Sequence, residues 1–107
     1  MSAEPEPQSE SIDPRGHIVR TPGVVGGRPR IAGTRVRVVD VVDWHQGGRL
    51  SVEEIVANFP LSLADVYASL AYYHDHHNEI EGERREDEQY VERLLEQHPD
   101  RVHVFEE

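Results

Sequence analysis

The sequence predicts a small, mainly α-helical domain entered through a short N-terminal β-hairpin, with a helix-turn-helix at its centre. Three observations carry that expectation. From Thr34 to Val38 arginines and valines alternate. This period of two puts Arg35 and Arg37 on one face of a strand and Val36 and Val38 on the other. From Val39 the apolar spacing turns helical. Then two serine capping boxes, Ser51 to Glu54 and Ser62 to Asp65, open two helices separated only by Phe59-Pro60-Leu61. In such a box the serine accepts a backbone N–H and the acid three residues on reaches back. Two capped helices joined this tightly form a helix-turn-helix.

The elements follow in order. Residues 1–14 are rich in Pro, Glu and Ser with only Ile12 to bury, which predicts a disordered leader. Order is expected to begin near His17, with a strand at His17-Ile18-Val19, a turn at Thr21-Pro22-Gly23, an extended Val24-Val25 and a break at Gly26-Gly27. Pro29 to Gly33 gives a short segment and a turn at Ala32-Gly33, and Ile31 is expected to join the buried face. Val38, Val41, Val42 and His45 then lie at helical spacing with Asp40 and Asp43 outward, and Gly47-Gly48 supplies the stop. The first capped helix is expected to bury Val52, Ile55, Val56 and Phe59 and to end at Pro60. The second is expected to bury Leu63, Val66, Tyr67, Leu70 and either Tyr73 or His74. After Ile80 the apolar pattern thins and Gly82 is a candidate break. Residues 83–97 carry a narrow stripe of Tyr90, Val91, Leu94 and Leu95, Pro99 ends it, and Val102 to Phe105 has strand character. The expected organisation is a leader over 1–14, a hairpin plus helix-turn-helix domain over 15–80, and an acidic helical tail with a short extended segment over 81–107.

Charge is unevenly spread along the 107 residues, whose formal net charge is −10. Residues 15–37 hold six arginines and no acid, whereas residues 79–107 hold eleven acids and four arginines. Such asymmetry points to a basic contact surface in one part and an acidic interaction tail in another. There is no cysteine, which excludes disulfides, thiolate catalysis and Cys-based zinc sites. No apolar run is long enough to span a membrane, and the expected location is the cytoplasm. Every basic residue other than histidine is arginine. A salt-adapted host and a GC-rich genome both account for that.

The basic segment from Gly26 to Val38 supplies the first candidate site. Arg28, Arg30, Arg35 and Arg37 carry planar forks suited to phosphate, and a β-ribbon fits the major groove of DNA. The competing reading pairs these arginines with the chain's own carboxylates. The second capped helix would present Ser62, Leu63, Ala64 and Asp65 to DNA. None is basic, so its expected role is scaffold and dimer surface. His74 and His77 share a helix face, but no further ligand joins them and no metal is expected. Asp40 and Asp43 form a carboxylate pair, yet no phosphate loop or nucleophile elbow accompanies them. No catalytic residue and no cofactor is expected, and the chain is read as not an enzyme.

Two blocks carry a family resemblance. Gly27-x-Pro29-x-Ile31-x-Gly33-Thr34-Arg35-Val36, preceded by Ile18-Val19 and Pro22-Gly23, is one. Phe59-Pro60-Leu61-Ser62-Leu63-Ala64-Asp65-Val66, followed by Ala68, Leu70, Ala71 and Tyr72, is the other. Together they span about residues 17–76, and in this order the chain resembles the family known as domain of unknown function 433. The resemblance implies a helix-turn-helix of winged-helix or homeodomain-like kind. It further implies a VapB-like antitoxin of a prokaryotic toxin–antitoxin pair, a homodimer that neutralises a PIN-like ribonuclease toxin and also binds its operator DNA. The acidic segment from Glu79 onward lies outside the resemblance and inherits no role from it: it reads either as a solvated charged helix or as an antitoxin tail with Tyr90, Val91, Leu94, Leu95 and Phe105 as anchors on the toxin. The alternative is a stand-alone DNA-binding regulator that uses the arginine hairpin.

Overall fold

Hydrogen-bonding side chains start several elements of this protein, which the computed structural model describes over residues 9–98. The Asp13 carboxylate accepts from the Ile18 amide at 2.7 Å, and the Ile12 amide donates to the Ile18 carbonyl at 2.9 Å. That turn folds strand β1 (Glu10–Ser11) back on strand β2 (Ile18–Arg20), pairing Glu10 with Arg20 and Ser11 with Val19. Residues 9–14, within the stretch expected to be a disordered leader, are therefore part of the fold. Composition overlooked the aspartate that closes the turn. Strand β3 (Arg30–Ile31) pairs on the other side of β2, and all neighbours are antiparallel. Between β2 and β3, Val25–Gly27 forms one 3₁₀ turn rather than extended chain.

The alternating strand expected over Thr34 to Val38 shrinks to one bridge between Arg30 and Arg37. Thr34 tightens the return, donating its hydroxyl to the Ile31 carbonyl at 2.9 Å and accepting the Val36 amide at 3.0 Å. The chain then turns helical at Val38, because Asp40 accepts the Arg37 amide at 2.9 Å. Helix α1 (Val38–Val42) buries Val38, Val39, Val41 and Val42. Valine disfavours helix slightly, but burial of four such side chains outweighs that preference. The helix widens into a π turn over Asp43–Gly47 and stops at Gly48. A Cβ at Gly48 would lie 2.9 Å from the Trp44 carbonyl oxygen, so glycine is the residue that fits.

Both capping boxes form. In helix α2 (Val52–Asn58) the Glu54 amide donates to Ser51 Oγ at 3.0 Å and Ser51 N donates to Glu54 Oε1 at 2.8 Å. In helix α3 (Leu63–Asp75) Ser62 and Asp65 repeat the exchange at 3.0 Å each way. Ser62→Ala is expected to lower stability by about 1 kcal/mol in a urea titration. An unchanged midpoint would mean the box adds nothing. Helix α2 buries Val52 and Ile55, while Trp44 stacks on Phe59 with centroids 3.8 Å apart.

The inward face of α3 differs from the expected one. Val66, Ser69, Tyr72 and Tyr73 are buried, whereas Leu63 and Tyr67 are 47% and 54% exposed. Ser69 donates its hydroxyl to the Asp65 carbonyl at 3.0 Å, so it enters the core with its hydrogen bond made. Leu61 fills the adjoining core space from the connection instead.

Helix α4 (His77–Gln97) is continuous. Gly82 does not break it and the helix crosses the boundary expected at residue 80. One interior glycine costs about 1 kcal/mol, less than a broken ladder would. Ile80 is its one fully buried apolar side chain. Pro99 and the strand expected over Val102 to Phe105 lie outside the described residues. Among the described residues no helix is long and apolar enough to cross a membrane.

Candidate functional site

The four arginines of the hairpin segment do not form one exposed stripe. Arg30, on β3, is 2% exposed. Its guanidinium donates to the Thr34 carbonyl at 2.8 Å and to Thr21 Oγ1 at 2.9 Å. It is a core residue in this conformation, not a surface for DNA. Alternation along a strand treats arginine as solvent-facing, and the tight Thr34 turn overrides that pattern. Arg35 is exposed, with no ion pair among the described residues.

Arg28 and Arg37 meet α4. Arg28 donates from Nη1 to Asp87 Oδ1 at 2.7 Å and from Nη2 to Glu86 Oε1 at 2.9 Å. Arg37 donates to Asp40 Oδ1 at 3.0 Å and to Asp87 Oδ2 at 3.1 Å. Both also approach Glu83 Oε2, at 3.7 Å and 3.4 Å. One carboxylate, Asp87, is thus gripped by two guanidinium groups, each on a different oxygen. Arg20 on β2, the candidate outside the hairpin's four arginines, pairs with Glu79 and donates to the Tyr72 hydroxyl at 3.1 Å. The signal in the sequence was the spacing of Glu79, Glu83 and Asp87, four residues apart and so on one helix face. Their partners lie roughly fifty to sixty residues away.

Burial sorts these carboxylates. Glu83 is 6% exposed, and loss of water raises its pKa from 4.5 to about 7. Arg28 and Arg37 pull it down, while Asp87 and Asp40 push it further up. Asp87 is partly desolvated too, but its bonds to Arg28 and Arg37 outweigh that and hold it below the ordinary aspartate value. Further ties reach α4 from the body: Tyr73 donates to Glu81 at 2.6 Å, and Arg84 bridges Glu81 and Asp43. An open cleft of about 930 Å³, lined by Arg28, Arg37, Asp87, Tyr90 and Arg93 among others, lies along this contact.

Beyond this clasp of Arg28 and Arg37 on Glu83 and Asp87, α4 has no fully buried side chain. Tyr90, Val91 and Leu95 are 56%, 51% and 40% exposed, and Leu94 is half-buried. Phe105 lies outside the described residues. Among the described residues no cluster of three or more His, Asp or Glu is arranged to hold a metal ion.

Residues 18–73 match the family described as "Protein of unknown function (DUF433)". The chain belongs to the DUF433 family. The DUF433 match ends at Tyr73, so α4 and its carboxylates fall outside it. A crystal structure of a DUF433 member protein from Anabaena variabilis is similar, at 38% identity and a TM-score of 0.59. That likeness covers 63% of this DUF433 chain and 66% of the other, just under two thirds of its length. No curated protein matches the chain.

Proposed function

We propose that this DUF433 chain is a non-catalytic, antitoxin-like protein that binds and neutralises a PIN-like ribonuclease through the outer half of α4. The observation that carries the reading is the stripe of Tyr90, Val91, Leu94 and Leu95, three of them exposed and Leu94 half-buried, on the outer half of α4. An amphipathic helix with an exposed apolar face is a recurring protein-binding element. Its charge narrows the partner. Residues 88–97, beyond the carboxylates paired with the body, hold three acids against one arginine, which suits the basic substrate groove of a ribonuclease.

The α2–α3 pair is read as a helix-turn-helix that serves as scaffold. The first turn of α3 carries no base, and Asp65 is occupied by Ser62 and by His17 at 3.0 Å. Direct DNA contact by the four hairpin arginines is not supported while Arg30 is buried and Arg28 and Arg37 are paired.

Co-expression with the adjacent open reading frame tests the proposal. A nuclease is expected to co-purify and to be silent toward RNA. Tyr90→Ser combined with Leu94→Ser is expected to weaken the complex about 100-fold, since two anchoring side chains each contribute about 1–2 kcal/mol. A neighbour that is no nuclease, or a complex indifferent to both substitutions, would overturn it.

A further inference from the structure

We infer that Arg20, Arg28 and Arg37 form a binding face for the phosphodiester backbone of a nucleic acid, which α4 masks with its own carboxylates. The stand-in ligand is on view. Asp87 offers its two oxygens to two guanidinium groups, at 2.7 Å and 3.1 Å. The two non-bridging oxygens of a phosphodiester present the same pair of acceptors to the same forks. Arg28 also holds a second carboxylate, Glu86, at 2.9 Å, so the face binds oxyanions in series.

The series is linear and regular. Glu79, Glu83 and Asp87 recur every four residues, so they span about 12 Å along the helix at 1.5 Å per residue. One strand of a duplex places three to four phosphates over that rise, at about 3.4 Å each. A small free anion would engage one arginine pair. A polymer with repeating charge engages Arg20 at one end and Arg28 with Arg37 at the other.

The mask is removable. Past Ile80, α4 buries no apolar side chain and is held to the body by ion pairs in which most partners are partly exposed. Such pairs contribute little individually and weaken with salt. A polyanion of higher charge density competes with these carboxylates for the same arginines. The inference stands without the antitoxin reading, because it concerns the protein and nucleic acid alone.

Fluorescence anisotropy with a labelled 24-base-pair DNA duplex at low salt tests it. The full chain carrying Glu79→Gln and Asp87→Asn is compared with a chain carrying Glu53→Gln and Glu88→Gln, which loses equal charge away from the arginines. The first is expected to bind at least tenfold tighter. Its affinity should fall with salt at a log–log slope of about −3, as for three neutralised phosphates. Adding Arg28→Gln and Arg37→Gln should return it to the control. Equal affinity of the two variants, or tight binding that survives loss of both arginines, overturns the inference. Should circular dichroism show helix loss in the double variant, Glu86→Gln carries the comparison, since that side chain is 68% exposed. It is expected to bind about threefold tighter than Glu88→Gln, and equality overturns the inference.

Discussion

Arg30→Ala is expected to cost about 3 kcal/mol and to lower the melting temperature by roughly 12–20 °C. The side chain is among the largest fully buried ones in the protein. Truncation leaves two defects together. The volume of the arginine stem becomes a cavity that the flanking strands cannot collapse into. The Thr34 carbonyl, which accepts from Arg30 at 2.8 Å, loses its donor inside the protein. A buried acceptor without a partner costs about 1–3 kcal/mol on its own. Arg30→Lys should recover part of the loss, because an ammonium fills the channel but lacks the fork that reaches both Thr34 and Thr21. Arg35→Ala supplies the comparison: that side chain is exposed, and its removal should change stability by less than about 0.5 kcal/mol. Thermal unfolding followed by circular dichroism reads all three. If Arg30→Ala and Arg35→Ala melt together, the Arg30 guanidinium is not part of the core.

These two arginines show what a linear pattern conveys and what it omits. The Ser51 and Ser62 boxes were legible because both partners sit within one turn of chain, and the structure contains each bond they imply. The turn to helical spacing after Val38 was legible from the apolar period alone. Burial of Arg30 was not, because alternation ranks arginine as a surface residue and nothing local announces that Thr34 and Thr21 will enclose it. The inward face of α3 was misassigned for a related reason. Hydrophobicity favoured Leu63 and Tyr67, whereas Ser69 goes in with its hydroxyl bonded to the Asp65 carbonyl. The clasp was half legible. Its carboxylates repeat every four residues in plain view, and the hairpin is basic in plain view. That the two meet depends on α4 running unbroken through Gly82, where the sequence offered a break. The competing reading, in which the arginines pair with the chain's own acids, describes the geometry of Arg28 and Arg37.

Glu83→Gln is expected to stabilise the protein by about 2–3 kcal/mol at pH 8.5 and to change little at pH 5. Two carboxylates, Glu83 and Asp87, are shared by Arg28 and Arg37, and only one of the two is well served. The short bonds, 2.7 Å and 3.1 Å, go to Asp87. Glu83 keeps approaches of 3.7 Å and 3.4 Å while being nearly cut off from water. Its folded pKa, about 7, lies above its ordinary 4.5. Folding therefore favours the protonated acid, and each pH unit of difference is worth about 1.4 kcal/mol. The contribution of Glu83 is complete below about pH 4.5 and is lost as pH rises through about 7. Asp87 runs the other way. Its folded pKa is lowered, so its contribution is present above the ordinary aspartate value and is lost on acidification below it. The two together place their combined maximum between the ordinary aspartate value of 3.8 and the ordinary glutamate value of 4.5, near pH 4. An amide at position 83 fills the same volume, donates and accepts, and carries no charge to desolvate, so it removes the alkaline decline and leaves the acid limb intact. Urea titrations of both proteins from pH 4 to pH 9 would read this directly. A variant less stable than the parent at pH 8.5 would mean that Arg28 and Arg37 stabilise the Glu83 carboxylate by more than its burial costs, so that its folded pKa is not raised. Breaking a buried ion pair would then cost about 3–5 kcal/mol, a change of opposite sign.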